Sequence, residues 1–169
     1  MKNILLACGI VLVSILVLIC LMFFVLSLPK YRDGSADKPF SEIVNKKLTT
    51  KKKVLILLYP GIPKYETYAY HLEDGSSFGM DSGLEVIAEI PIGTEFIIDK
   101  VELHTGRVSG TTSPYLFGKI YSEEKKEEYA FQFTWGDHHS LYEDKPYWTF
   151  KLAFWQDQPL TQKYFIKTK

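Results

Sequence analysis

Cysteine is nearly missing from this chain. Of its 169 residues only Cys8 and Cys20 carry a thiol, and both fall in the apolar run that opens the sequence. Everything past residue 28 therefore lacks a disulfide, a thiolate nucleophile and a cysteine metal ligand. That absence favours neither an oxidising nor a reducing compartment. An excess of one charge is missing too, since 20 Lys and Arg stand against 20 Asp and Glu. Counted without Lys2, 19 basic side chains face 20 acidic ones, which is not the electrostatic footprint of a nucleic-acid binder. No G-x-S-x-G nucleophile elbow, glycine-rich nucleotide loop, internal repeat or low-complexity segment occurs.

What is present begins with ILLACGIVLVSILVLICLMFFVLSL, residues 4–28, which carry no charge. Its only hydroxyls are Ser14 and Ser27. A helix rising about 1.5 Å per residue covers about 37 Å with this segment, and a hydrocarbon core is about 30 Å thick. A helix also satisfies every backbone group within lipid. The apolar region of a cleaved signal peptide runs to about 7–15 residues. We therefore read residues 1–28 as an N-terminal signal-anchor, a transmembrane helix meeting the lipid bilayer through residues 4–28. Leu5, Leu6, Ala7 and Cys8 resemble a lipoprotein lipobox, but only seven residues precede Cys8, so no lipidated cysteine is expected. Lys30, Arg32, Lys38, Lys46 and Lys47 follow the span and would favour a cytoplasmic domain. The Met-Lys-Asn start before an apolar run reads as an export signal and acts first during synthesis. The expectation is a single-pass protein of the cell membrane with an extracytoplasmic C-terminal domain.

Residues 29–53 read as a tether. Phe40, Ile43, Val44, Lys47 and Leu48 fall at helical spacing, with Asp37 or Ser41 as cap, so a short amphipathic helix is expected there. Residues 45–53 hold five lysines. They serve either as solvated gatekeepers beside the apolar VLILLY segment or as a contact for anionic headgroups, worth about 1 kcal/mol per lysine near the surface.

Residues 54–169 read as one all-β domain. Leu84, Val86, Ala88 and Ile90 alternate with wetter positions, as do Tyr129, Phe131, Phe133 and Trp135. Trp148, Phe150, Leu152 and Phe154 do the same. Residues 94–104 change face near Ile97 and Ile98, which predicts a bulge. Residues 115–121 and 127–135 form a hairpin across Ser-Glu-Glu-Lys-Lys. With residues 54–59, 65–71 and 164–166 the count is about eight strands. No helix follows any of them, so the expected sheet is antiparallel, closed as a small β-barrel or paired as a β-sandwich. The piece IPIGTEFIIDKV resembles the Pro-x-Gly-Thr turn and strand of bacterial SH3-like domains, over a dozen residues and without a binding motif.

The densest chemistry is WGDHHSLYED, residues 135–144. Adjacent residues on a strand point to opposite faces, so His138 and His139 cannot share a metal from regular β structure. In a loop they can, with Asp137 or Asp144 adding oxygen. Zinc motifs space their histidines differently, and Gly136, Asp137, Ser140 and Pro146 suit a turn, so a turn is expected. Tyr147 and Trp155 fall on the opposite face of their strand; a barrel buries both ends of a long strand, so core packing is expected, while exposed rings there would stack on sugars or anchor a protein partner. Trp135, Asp137, His138, His139, Tyr142, Tyr147 and Trp155 are thus the candidate binding residues. Residues 71–83 and 107–114 read as loops able to touch a partner. Neither a cofactor nor a metal is implied.

These observations point to a membrane-anchored, non-enzymatic binding or accessory module at the cell envelope, partnered by the bilayer and another envelope protein and not by nucleic acid. The alternatives are a metal-assisted hydrolase built on Asp137, His138 and His139, and a structural subunit of a membrane complex whose span makes the contact through Cys8, Gly9 and Ser14.

Overall fold

The computed structural model describes residues 2–28, 30–58, 65–74, 84–107 and 109–168. Helix α1 (Lys2–Ser27) holds the apolar run up to Ser27. Its segment Gly9–Ser27 is long and apolar enough to cross a bilayer, and none of it is buried against the rest of the chain.

Among the described residues eleven strands follow: β1 (Lys30–Asp33), β2 (Lys47–Thr49), β3 (Val54–Leu58), β4 (Tyr70–Glu73), β5 (Val86–Ile90), β6 (Glu95–Thr105), β7 (Thr112–Ser122), β8 (Glu127–Thr134), β9 (Asp137–His139), β10 (Tyr147–Phe150) and β11 (Leu160–Tyr164). Eight of them form one sheet in the order β1-β6-β7-β8-β4-β3-β5, with β2 on the β1 edge of β6. The other three form a small sheet, β11-β10-β9. The large sheet ends at β1 and β2 on one side and at β5 on the other, so it is open; of the two expected arrangements the closed barrel is not formed, while two sheets do share one buried cluster. Nor is it purely antiparallel: β4 runs parallel to β8, pairing Tyr70 with Phe131 and His71 with Gln132. No helix lies between these two strands among the described residues, and residues 74–126 connect them through β5, β6 and β7. A long enough connection of any kind permits a parallel pair.

The segment read as a tether supplies two strands. Lys30 pairs with Thr105 and Lys47 with Ile97, so both ends of β6 are edged by residues that precede the predicted domain. The helix expected around Phe40 shrinks to a single 3-10 turn, Phe40–Glu42. A short isolated helix lacks the hydrogen bonds to offset its nucleation. Here pairing of β2 with β6 and burial of the Phe40 ring against Trp135 and Phe150 win instead. The neighbouring lysines are ion-paired, Lys47 to Glu95, Lys51 to Asp157, Lys52 to Asp74 and Lys53 to Glu89.

The bulge in β6 falls between Ile98 and Lys100, where the register with β7 shifts. It turns Phe96 and Ile98 inward on one side, and Val101 and Leu103 inward on the other. The same step sends Lys100, Glu102 and His104 to the opposite face. A second irregularity, between Ile56 and Leu57, displaces the β5 alternation and leaves Val86 about half exposed. The hairpin between β7 and β8 forms as expected, with Lys126 at φ 57 in its turn. One buried cluster joins the inner face of the large sheet to the small one through Phe96, Phe131, Trp135, Trp148, Phe150 and Phe154.

Candidate functional site

The structure distributes the candidate residues of the sequence over three environments. Trp135 and Trp155 are core, 3 % and 7 % exposed, with ring centroids 5.0 Å apart. Trp135 donates its indole N–H to the Lys151 carbonyl at 2.9 Å. Trp155 turns inward because β10 ends at Phe150, after which Ala153, Phe154 and Trp155 are buried in succession and Leu152 is exposed. The strict alternation read through Phe154 therefore breaks at Lys151.

Asp137, His138 and His139 are not a turn but strand β9, in register with Thr149, Trp148 and Tyr147. Hydrogen bonding along β10 captures them, and the polar loop begins only at Ser140. Being a strand, β9 sends its histidines apart. His138 stacks on Trp148 at 4.7 Å, whereas His139 stacks on Tyr147 at 4.8 Å and lies 2.8 Å from the Thr149 hydroxyl. Asp137 is exposed and pairs with Lys151 at 3.6 Å. Tyr147 carries the Lys163 ammonium 3.8 Å from its ring centroid. Tyr142 is 96 % exposed at the loop tip, with φ 63. Trp135 and Asp137 line one cleft of about 340 Å³, which His138, His139, Tyr142, Tyr147 and Trp155 do not line, and no group of three or more potential metal ligands occurs among the described residues. Asp137, His138 and His139 thus do not converge on one point.

His138 is nevertheless unusual. Both ring nitrogens are buried without a hydrogen-bond partner among the described residues. Burial, and then the neighbouring His139, push its pKa below the usual 6.5. A folded-state value below the unfolded one means stability present above about pH 6.5 that is lost as pH falls. His138→Phe keeps a ring against Trp148 and removes two unsatisfied nitrogens, so it is expected to stabilise the fold by about 1 kcal/mol at pH 7. The gain should widen at pH 5, where the unfolded wild type takes up a proton that the folded His138 resists. Tryptophan fluorescence melts of the full chain in detergent at both pH values measure this; an equal difference at each would refute the buried-histidine account.

A different constellation lies on the opposite face of the large sheet. Lys100, Glu102 and His104 project from alternate positions of β6 beyond its bulge. The Glu102 carboxylate accepts from the Lys100 ammonium at 2.8 Å and from the Tyr65 hydroxyl at 2.7 Å, and lies 2.9 Å from His104 Nε2. Burial alone would raise the Glu102 pKa, but the hydrogen bonds from Lys100, Tyr65 and His104 outweigh it and hold the carboxyl below its ordinary value. The bond to Glu102, with burial behind it, pushes the Tyr65 hydroxyl up to about 12. The Lys100 ammonium also sits 4.0 Å from the Tyr65 ring centroid and 4.9 Å from that of Phe117. Three partners share the carboxylate and fix its position.

Beside this network opens a cleft of about 310 Å³. His104 forms its floor, held between Tyr31 at 4.4 Å and Tyr115 at 4.8 Å. Its far wall is the β6–β7 loop, folded on itself by Gly106 N–H to the Thr111 carbonyl at 2.8 Å and Gly110 N–H to the Gly106 carbonyl at 3.1 Å. Below the loop Thr105 and Thr112 share a buried hydroxyl contact of 2.9 Å. Arg107, Ser109 and Ser113 line the opening, and no acidic side chain does.

The sequence held the signal for this site. Lys100, Glu102 and His104 are spaced by two on a strand already expected to bulge, which places all three on one face. Residues 107–114 were read as a loop able to touch a partner, but Thr112–Pro114 belong to β7. Of residues 71–83, the stretch 75–83 lies outside the described residues. Compared with known proteins, the chain matches no family model, no curated protein and no solved structure.

Proposed function

We propose that the chain is a single-pass membrane protein whose β head works as a non-enzymatic binding or accessory module on the extracytoplasmic side of the cell envelope. The observation that carries this reading is α1. The 19 residues Gly9–Ser27, apolar but for Ser14 and Ser27, are not buried against any of the described residues. Exposed apolar surface on that scale calls for lipid or another apolar surface. A signal sequence passes the same length test; the 25 uncharged residues from Ile4 to Leu28 exceed the span such a sequence needs. The head follows with only Leu28 and Pro29 between α1 and β1. Fixing a binding surface this close to the bilayer raises its effective concentration toward envelope partners. The Glu102 carboxylate shared by three partners and the separated histidines support binding over catalysis.

The test uses the full chain with a C-terminal tag. After alkaline carbonate washing the tagged chain is expected in the membrane pellet at full length. Protease added outside intact spheroplasts is expected to remove the head. A soluble tagged product lacking residues 1–28 would end the anchored reading, and a head protected until lysis would reverse the orientation.

A further inference from the structure

We propose that the cleft between Tyr31, Tyr115 and the β6–β7 loop binds the phosphate of an anionic phospholipid headgroup; the proposal rests on α1 spanning the bilayer. Position is the first argument. From Ser27 to Lys30 the chain reaches at most about 10 Å, and the headgroup layer is about 5–8 Å deep on each side. Lys30 pairs with Thr105, the last residue of β6, so the β6–β7 loop starts level with the end of the helix. The cleft therefore faces the headgroups. The lysine-rich segment does not: Lys47 pairs with Ile97, eight residues down β6 from Thr105, about 26 Å away.

Chemistry is the second argument. Arg107 and Lys30 have no ion-pair partner among the described residues, in contrast to Arg32, Lys47, Lys51, Lys52, Lys53 and Lys100. A guanidinium recognises phosphate oxygens as a two-pronged donor. The Ser109, Thr111 and Ser113 hydroxyls supply neutral donors around it, and the tyrosine rings match the aromatic belt of membrane interfaces. Within the cleft lining no carboxylate opposes an anion, and Glu102 is engaged behind His104.

The experiment places the full chain in phosphatidylcholine vesicles containing a minority of phosphatidylglycerol. Spin-labelled lipids then report how strongly each headgroup is retained at the protein. The wild type should retain phosphatidylglycerol over phosphatidylcholine, and Arg107→Ala should cut that preference by about tenfold, the worth of one charge-assisted contact. Arg107 is exposed and has no ion-pair partner among the described residues, so the variant should melt with the wild type and still float with the vesicles. Flotation of both forms without an Arg107-dependent preference overturns the headgroup site alone. Failure of the wild type to float overturns the anchor, and the placement with it. Binding of inorganic phosphate that depends on Arg107, with no preference among lipids, would assign the cleft to a soluble phosphate and overturn the lipid source.

Discussion

Trp148→Ala is expected to lower the stability of the head by about 3–5 kcal/mol, the range for truncating a large buried ring. Trp148 is the largest fully buried side chain of the molecule and lies on β10, the middle strand of the small sheet. Its indole N–H reaches the Ile166 carbonyl at 3.3 Å, and His138 covers one side of the ring. Alanine leaves a cavity, orphans that carbonyl and loosens β9 and β11 together, because Trp148 stands in register with His138 on one side and Tyr164 on the other. For a domain of this size the loss corresponds to a melting point lower by about 10–20 °C. Thermal unfolding of the full chain in detergent, followed by the fluorescence of Trp135 and Trp155, measures it. Hydrogen exchange should quicken first in β9–β11 and only later in β6–β8. A melting point within two or three degrees of wild type, as an order of magnitude from the same scaling, would show that the small sheet is not part of the cooperative core.

The second large effect belongs to a residue with no side chain. Gly118 stands on the inner face of β7, paired with Ile98 on one side and Phe131 on the other. A Cβ built there would run into the Ile97 carbonyl oxygen, 2.8 Å from Phe131 Cζ and 3.2 Å from Ile98 Cα. Phe131 is fully buried, and the carbonyl belongs to the stretch of β6 entering the bulge, so neither neighbour has room to retreat. Gly118→Val is expected to cost about 3 kcal/mol or more, at the upper end for overpacking. The same melt records it. The decisive control is Gly118→Ala combined with Phe131→Leu: shortening the ring should rescue little, because backbone cannot move aside as a side chain can. Full rescue would locate the constraint in the ring and not at the bulge.

How much of this was legible beforehand differs from element to element. The apolar run, the hairpin of β7 and β8 and the bulge of β6 are local patterns, a stretch without charge or an alternation that changes phase. Each survives in the fold because its cause lies within a dozen residues. The helix at Phe40 failed because its spacing fits two structures and the deciding partner, β6, lies some fifty residues further on. Tyr147 and Trp155 share a face in the sequence alternation but part company in the fold, where the core packing expected of both holds for Trp155 and Tyr147 stays half-buried. Their common phase holds only while the strand continues, and β10 stops at Phe150 when Ala153 to Trp155 fold into the aromatic core.

The order of residues by itself determined that an uncharged apolar segment leads a thiol-free, charge-balanced β head, since composition and short-range periodicity need no partner to act. Only the tertiary structure decided that the sheet is open and mixed, that His138 and His139 diverge, and that Tyr31, His104 and Tyr115 meet beside Arg107. Those outcomes depend on which distant strands share an edge, and strand pairing is chosen by the burial of whole faces, which no single segment encodes.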